Sequence, residues 1–185
     1  MVEQKTRSFI CFEMPSDVLK EIASIQEQLN KKLKFIGKTT ELENIHLTLK
    51  FLGEINQETL EKTKKALSSI NFSKSEAKLG RIEFFTYKKQ PKIIWIKIIS
   101  QISKLQKQID SSLIDLFPKE ERFMAHVTIA RIKYIENINS AIEYIKHIKI
   151  RNLNFEISEF ILKKSTLEPL QPEYKTIETY KLKDY

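Results

Sequence analysis

The sequence contains a single cysteine, Cys11, among its 185 residues. One thiol cannot form an internal disulfide, so the class of small disulfide-stabilised proteins is excluded and a reducing compartment is favoured. Cys11 lies in the apolar run 9–12. We therefore expect it to be a small buried side chain and not a nucleophile.

Long apolar stretches are absent as well. No part of the sequence approaches the roughly 20 consecutive apolar residues that a membrane-spanning helix needs. The first residues precede only a short apolar segment and do not have the pattern of a signal peptide. The sequence therefore predicts a cytoplasmic protein that does not contact a membrane.

Glycine is scarce, with only three residues in the chain. The glycine-rich loops that bind phosphates in P-loop and Rossmann proteins are therefore excluded. The three histidines and the one cysteine do not cluster with carboxylates at the spacing of a metal site. We accordingly expect neither a metal ion nor any other cofactor.

Positive charge, by contrast, is abundant. The chain has 32 Lys and Arg residues against 24 Asp and Glu residues, which gives a formal net charge of +8. A basic surface attracts polyanions and speeds their encounter. A nucleic acid or a nucleotide is therefore a candidate partner, although many basic proteins bind neither.

Two segments of the chain share one pattern. Residues 45–55 (IHLTLKFLGEI) and 125–135 (AHVTIARIKYI) both read as strands in which apolar and polar residues alternate. A predicted strand and helix precede each segment, and a predicted helix and a longer strand region follow it. The preceding strands are 7–14 and 92–98, the following helices begin near Asn56 and near Asn137 or Asn139, the longer strand regions are 73–85 and 153–163, and a last strand is 174–182.

This repetition predicts one bilobal domain over residues 1–185, with approximate repeat halves at 1–90 and 91–185. The predicted fold class is α+β, a pseudo-twofold duplicated unit whose antiparallel sheets line a central groove and whose helices cover the outer faces. Chance similarity of two short strands is the alternative, but the matching elements on both sides favour duplication. We expect a monomer.

The polar faces of the two strands carry the chemistry. Because alternate side chains of a strand share a face, His46 and Thr48 point together, as do His126 and Thr128. Displacement at a phosphodiester needs an acid and a base on opposite sides of phosphorus, and imidazole can serve as either near neutral pH. Threonine hydroxyls can bind the non-bridging oxygens. We therefore predict that the two histidines are catalytic and that the two threonines bind phosphate.

Two further residues need consideration as parts of the site. Lys50 follows Thr48 on the same face and is a candidate substrate contact, although a solvated lysine is an equally good interpretation. His147 has no such setting, because it falls late in a predicted helix where a solvated residue is expected.

The paired motifs are similar to those of the two-histidine phosphoesterase superfamily. Within it, the chain resembles the RNA 2′,3′-cyclic phosphodiesterases, also called 2′-5′ RNA ligases, nearly from end to end. The segments that carry the resemblance are 7–15 (RSFICFEMP), 43–53 (ENIHLTLKFLG), 123–131 (FMAHVTIAR) and the closing segment 165–174.

The resemblance implies a metal-free site that opens a cyclic phosphate to a 2′-phosphomonoester, with an RNA end as the substrate. It implies that His46 donates a proton, that His126 accepts one, and that Thr48 and Thr128 hold the phosphate. Arg131 matches a family position that contacts phosphate. Strand alternation points Arg131 away from His126, and only a bulge or a strong twist would reconcile the two.

Three alternative functions stay open. The first is 2′-5′ ligation by the reverse reaction in the same site. The second is hydrolysis of another nucleotide, such as ADP-ribose 1″,2″-cyclic phosphate or an oligoadenylate. The third is a non-catalytic RNA-binding module, which the paired His-x-Thr motifs disfavour because simple binding needs no acid–base pair.

Overall fold

The structure, a computed structural model, describes residues 5–167 and 172–184, so residues 168–171 of the closing segment lie outside it. The described part contains nine strands and four α-helices, with a short 3-10 helix at Leu42–Asn44. The strands are β1 (Thr6–Glu13), β2 (Phe35–Thr39), β3 (His46–Ile55), β4 (Ser75–Tyr87), β5 (Gln90–Ser100), β6 (His126–Ile135), β7 (Asn154–Ile157), β8 (Glu159–Leu167) and β9 (Pro172–Lys181). The helices are α1 (Ser16–Lys32), α2 (Gln57–Ser68), α3 (Ile102–Ser112) and α4 (Ile138–His147).

The helices form where apolar residues recur at the helical period, and those residues are buried. No helix in the described residues combines the length and the apolar character that crossing a membrane requires. The buried apolar positions of α1 and α3 are Val18, Ile22, Ile25, Leu29, Ile102, Leu105 and Ile109.

Side-chain caps fix the starts of two helices. Asn56 begins α2 and Asn137 begins α4, each accepting a hydrogen bond of 2.9 Å from the backbone N–H three residues later. Helix α1 begins without a side-chain cap, although the Pro-Ser sequence at 15–16 is typical of a helix start capped by Ser16. Pro15 holds the cap position, and Ser16 is already the first helical residue.

The strands form one antiparallel sheet in the order β7-β4-β5-β6-β3-β1-β8-β9, and β2 pairs with β6 outside this path. The two motif strands, β3 and β6, lie side by side at its centre. Helix α1 packs on β6, and α3 packs on β3. The predicted α+β class, with an antiparallel sheet and helices outside it, is confirmed.

Each side of the sheet combines strands from both halves of the chain. On one side of the centre, β8 and β9 from late in the chain pair onto β1, while on the other side β4 from early in the chain pairs with β5. The lobes therefore do not coincide with residues 1–90 and 91–185. The duplication of these halves stays a prediction.

Cys11 lies in a small apolar cluster with Phe9 and Ile161, apart from the main core. Its side chain is fully buried, and burial raises the pKa of the Cys11 thiol to about 12. The thiol is therefore protonated at neutral pH, which supports the inert role expected from the sequence.

Candidate active site

The two His-x-Thr motifs meet at the centre of the sheet. The register there is set by Leu47 of β3, which pairs with Val127 of β6. Because the strands are antiparallel, each histidine lies beside the threonine of the other motif. Leu47 and Val127 are fully buried, so their neighbours along each strand point to the opposite face, into the groove. His46 and His126 are therefore diagonal neighbours on one face of the sheet, with Cβ atoms somewhat less than about 7–8 Å apart in such a pair.

Both imidazoles are held in the same way. Nδ1 of His46 lies 2.8 Å from the Asn44 carbonyl oxygen, and Nδ1 of His126 lies 2.7 Å from that of Met124. A carbonyl can only accept, so each Nδ1 carries a hydrogen and donates it. In the neutral tautomer Nε2 is then unprotonated and can act as a base. To act as an acid, the same histidine has to be an imidazolium.

His46 is packed between aromatic rings. The ring of Phe9 lies 4.9 Å from it, and the ring of Tyr174 meets it edge-on at 5.2 Å. Burial lowers the pKa of His46 from 6.5 to about 4, and the positive charges of Lys163 and Arg131 act in the same direction. In the unliganded protein, His46 is therefore neutral at pH 7.

His126 has a matching aromatic setting in the other lobe. Phe85 and Trp95 meet its ring edge-on at 5.0 and 5.6 Å. Burial lowers the pKa of His126 below its ordinary value of 6.5, against the opposing effect of its bond to the Met124 carbonyl. The neutral, basic form of His126 consequently predominates near pH 7.

A β-bulge follows the threonine in each motif. On β3 the pairing with β1 skips Leu49, and on β6 the pairing with β5 skips Ile129. In each strand the skipped residue and the one after it are both buried. The side-chain alternation therefore shifts by one, and the fifth residue after each histidine returns to the groove. These residues are Phe51 and Arg131.

The bulge on β6 brings Arg131 to the face of the site. Arg131 is exposed and pairs with Ile93 of β5, and its charge contributes to the lowered pKa of His46. The conflict between strand alternation and the family resemblance thus has a structural solution. Contact of Arg131 with a phosphate stays a prediction.

The prediction that Lys50 shares the groove face is wrong, because the bulge on β3 turns it to the helical side. Lys50 is only 4% exposed. Its ammonium group donates to the carboxylate of Asp110 in α3 and, at 2.7 Å, to the carbonyl of Pro118. Asp110 also accepts from Gln106 at 2.7 Å and from the Glu120 backbone at 3.1 Å. Lys50 therefore links β3 to α3 and to the loop before β6.

Charged residues beside the histidines were missed by sequence reasoning. Glu13 of β1 pairs with His46, and Lys97 of β5 pairs with His126. Lys163 of β8, which is buried, forms an ion pair with Glu13. The alternation of side chains within β1 and β5 could have indicated the faces on which Glu13 and Lys97 lie. Their position beside the histidines follows only from the pairing of these strands with the motif strands. Glu13 favours the charged form of His46, but the larger effect of the Lys163 charge opposes it and lowers the pKa of His46, so the two histidines differ in their surroundings.

Within residues 5–167 and 172–184, no group of three or more His, Cys, Asp or Glu side chains is placed to hold a metal ion. The third histidine, His147, is exposed at the end of α4 and lies outside the groove site.

An antiparallel sheet that joins two His-x-Thr strands over one groove is typical of two-histidine phosphoesterases. The profile of the LigT-like phosphoesterases matches residues 12–95 and 97–174. The chain belongs to this family, as the motifs predicted.

Curated relatives match over nearly the whole chain. An RNA 2′,3′-cyclic phosphodiesterase of Methanocaldococcus jannaschii is 36% identical over 180 residues, which cover 94% of this chain and 99% of the relative. One of Thermotoga maritima is 28% identical, with 92% of each chain covered.

Solved structures share the fold. A crystal structure of a Thermus thermophilus protein superposes with a TM-score of 0.81 at 20% identity and covers 96% of this chain and 98% of its own. Escherichia coli LigT in its apo form gives 0.76 at 17% identity, with 97% and 98% covered.

Proposed function

We propose that this protein hydrolyses the 2′,3′-cyclic phosphate end of RNA to a 2′-phosphomonoester, with His46 and His126 as acid and base and without a metal ion. The observation that carries the proposal is the arrangement of the imidazoles. Each has its Nδ1 bound to a backbone carbonyl, so that the Nε2 atom of each is left for the reaction. The names of the relatives supply the substrate class.

The proposed reaction is an in-line displacement. Nε2 of His126 accepts a proton from a water molecule as the water oxygen attacks phosphorus. The bond from phosphorus to O3′ breaks, and Nε2–H of the His46 imidazolium protonates O3′. The products are a 3′-hydroxyl and a 2′-phosphate. Of the two roles, the family resemblance supports His46 as the acid.

The substrate itself has to help charge His46. The pKa of about 4 in the unliganded protein leaves little imidazolium at pH 7. An anionic phosphate bound beside His46 favours the charged form of its imidazole and so raises its pKa. Substrate binding should therefore be coupled to proton uptake by the acid.

The remaining groove residues stabilise the phosphate in this scheme. Thr48 and Thr128 each lie on the groove face beside the opposite histidine, and their hydroxyls can donate to the non-bridging oxygens. The guanidinium of Arg131 supplies a positive charge on the same face. These groups take the part that a metal ion plays in other phosphodiesterases.

The direct test is to incubate the protein with an oligoribonucleotide that ends in a 2′,3′-cyclic phosphate and to identify the product end. We expect a 2′-phosphate, formed equally well in the presence of EDTA. His46→Ala and His126→Ala should abolish turnover, whereas the matched control His147→Ala should not. A 3′-phosphate product, or loss of activity with EDTA and its recovery with a divalent ion, would contradict the proposal.

A further inference from the structure

A row of aromatic side chains leads from His126 toward the tip of the β4–β5 hairpin. Phe85 meets His126 at 5.0 Å and stacks on Trp95 at 4.6 Å. Tyr87 follows Phe85 by two residues on β4, and the bulge at this level lies on β5, so Tyr87 shares its face. The side chain of Tyr87 is 64% exposed. The row therefore continues from the catalytic groove out to solvent.

The hairpin tip adds two positive charges to this row. Lys88 and Lys89 form its two-residue turn with φ angles of +48° and +64°. Such left-handed turns are normally built from Asn-Gly, because side chains are strained there. Residues held in such a backbone conformation cluster at functional sites. The ammonium group of Lys88 lies 5.5 Å from the centre of the Tyr87 ring, so charge and aromatic surface are adjacent.

The hairpin tip lies beyond the reacting centre along the sheet. From Phe85, which meets His126, the chain advances three residues along β4 and its turn to Lys88, or about 10 Å at the rise of a strand. Beside the tip is a depression of about 490 Å³ against the start of α4. Its lining includes Lys89, Tyr134 and Asn137, together with one carboxylate, Glu136, which pairs with Lys34 at 3.7 Å.

We propose that Tyr87, Lys88 and Lys89 bind the single-stranded RNA segment that precedes the cyclic-phosphate end. This inference rests on the proposed function. Aromatic faces stack on bases of any sequence and ammonium groups bind the phosphates between them, which is the usual combination in proteins that hold single strands. The net charge of +8 agrees with such a partner. Because Tyr87 and the lysines follow Phe85, which meets His126, they are placed to contact the part of an oligonucleotide that precedes its cyclic end.

The kinetic test compares two substrates, an oligoribonucleotide with a 2′,3′-cyclic end and a nucleoside 2′,3′-cyclic phosphate. The measured quantity is the kcat/KM for the oligoribonucleotide divided by the kcat/KM for the nucleoside 2′,3′-cyclic phosphate. In Lys88→Asn/Lys89→Gly this ratio should fall about 5- to 20-fold, and in Tyr87→Ala about 5-fold or more. The matched control is Lys104→Gln/Lys107→Gln, which removes two exposed charges from α3 on the helical side and should leave the ratio unchanged. An unchanged ratio in the hairpin variants, or an equal fall in the control, would overturn the inference.

The binding test works even if the proposed reaction is wrong. The affinity for a single-stranded oligonucleotide is measured against salt, where each lost phosphate contact lowers the logarithmic slope by about 0.7. For Lys88→Asn/Lys89→Gly we expect a smaller slope together with a melting temperature several degrees higher, because Asn-Gly relieves the turn. A higher melting temperature with an unchanged slope would mean that the lysines do not contact RNA. If the wild type hydrolyses neither substrate, the proposed function has failed, and the salt slope alone decides the inference.

Discussion

Replacing His46 by Phe should remove a specific acid sensitivity from the folded protein. Because burial holds the pKa of His46 at about 4 in the folded state, while an unfolded histidine titrates near 6.5, the unfolded state binds a proton first as the pH falls. Stability is therefore unaffected by this group above about pH 6.5 and is lost between that pH and 4. Linkage gives a loss of about 2 kcal/mol by pH 5 and about 3 kcal/mol by pH 4.

Phenylalanine keeps a flat ring against Phe9 and Tyr174 but cannot titrate. It leaves the Asn44 carbonyl without its donor, which costs stability equally at every pH and so does not alter the slope. Urea unfolding at pH 7, 6 and 5 should show the wild type losing about 2 kcal/mol more than His46→Phe, or roughly 4–8 °C in melting temperature. His147→Phe controls for loss of an exposed histidine. Parallel stability curves for wild type and His46→Phe would refute the assigned pKa.

Three further predictions concern the site and its support. The pH profile of kcat/KM should be bell-shaped with its optimum below pH 6.5, because the pKa values of both histidines are lowered in the unliganded protein. The profile of kcat should peak at higher pH. A kcat/KM optimum above pH 7 would contradict this. Lys50→Met should lower the free energy of unfolding by about 3–5 kcal/mol, because it removes one partner of a buried ion pair. The KM of the folded enzyme should not change. Unaltered stability together with a raised KM would show that Lys50 contacts the substrate. Arg131→Met should lower kcat/KM about 10- to 100-fold through loss of a charge-assisted phosphate contact, whereas Arg151→Met, at an exposed position after α4, should change it by less than about 2-fold.

Periodic elements were predictable from sequence, but the short edge strand β2 was not. Its residues, Phe35–Thr39, show no clear alternation and include Gly37. The strand exists because it pairs with β6, almost a hundred residues later in the chain. A Cβ at Gly37 would lie 2.2 Å from the carbonyl oxygen of Arg131, so the missing side chain allows the two strands to approach. A window of local sequence does not contain that partner.

The bulges explain why the two histidines and their threonines could be placed from sequence, whereas Lys50 could not. Alternation holds from His46 to Thr48 and fails at the next residue, where the register slips. The partner that buries Lys50 is Asp110, sixty residues away. The motif sequences themselves could have indicated a bulge. Simple alternation would send the apolar Ala130 into the groove and the charged Arg131 into the core, and that contradiction indicates a bulge.

Leaving-group rescue of the two histidine variants distinguishes the acid from the base. An aryl phosphodiester has a leaving oxygen of low pKa that needs no proton, so the general acid becomes dispensable while the base that activates water does not. We expect this substrate to restore much of the activity of His46→Ala and little of that of His126→Ala. The opposite pattern would exchange the two roles. Equal rescue of both variants, or of neither, would contradict catalysis by one acid and one base.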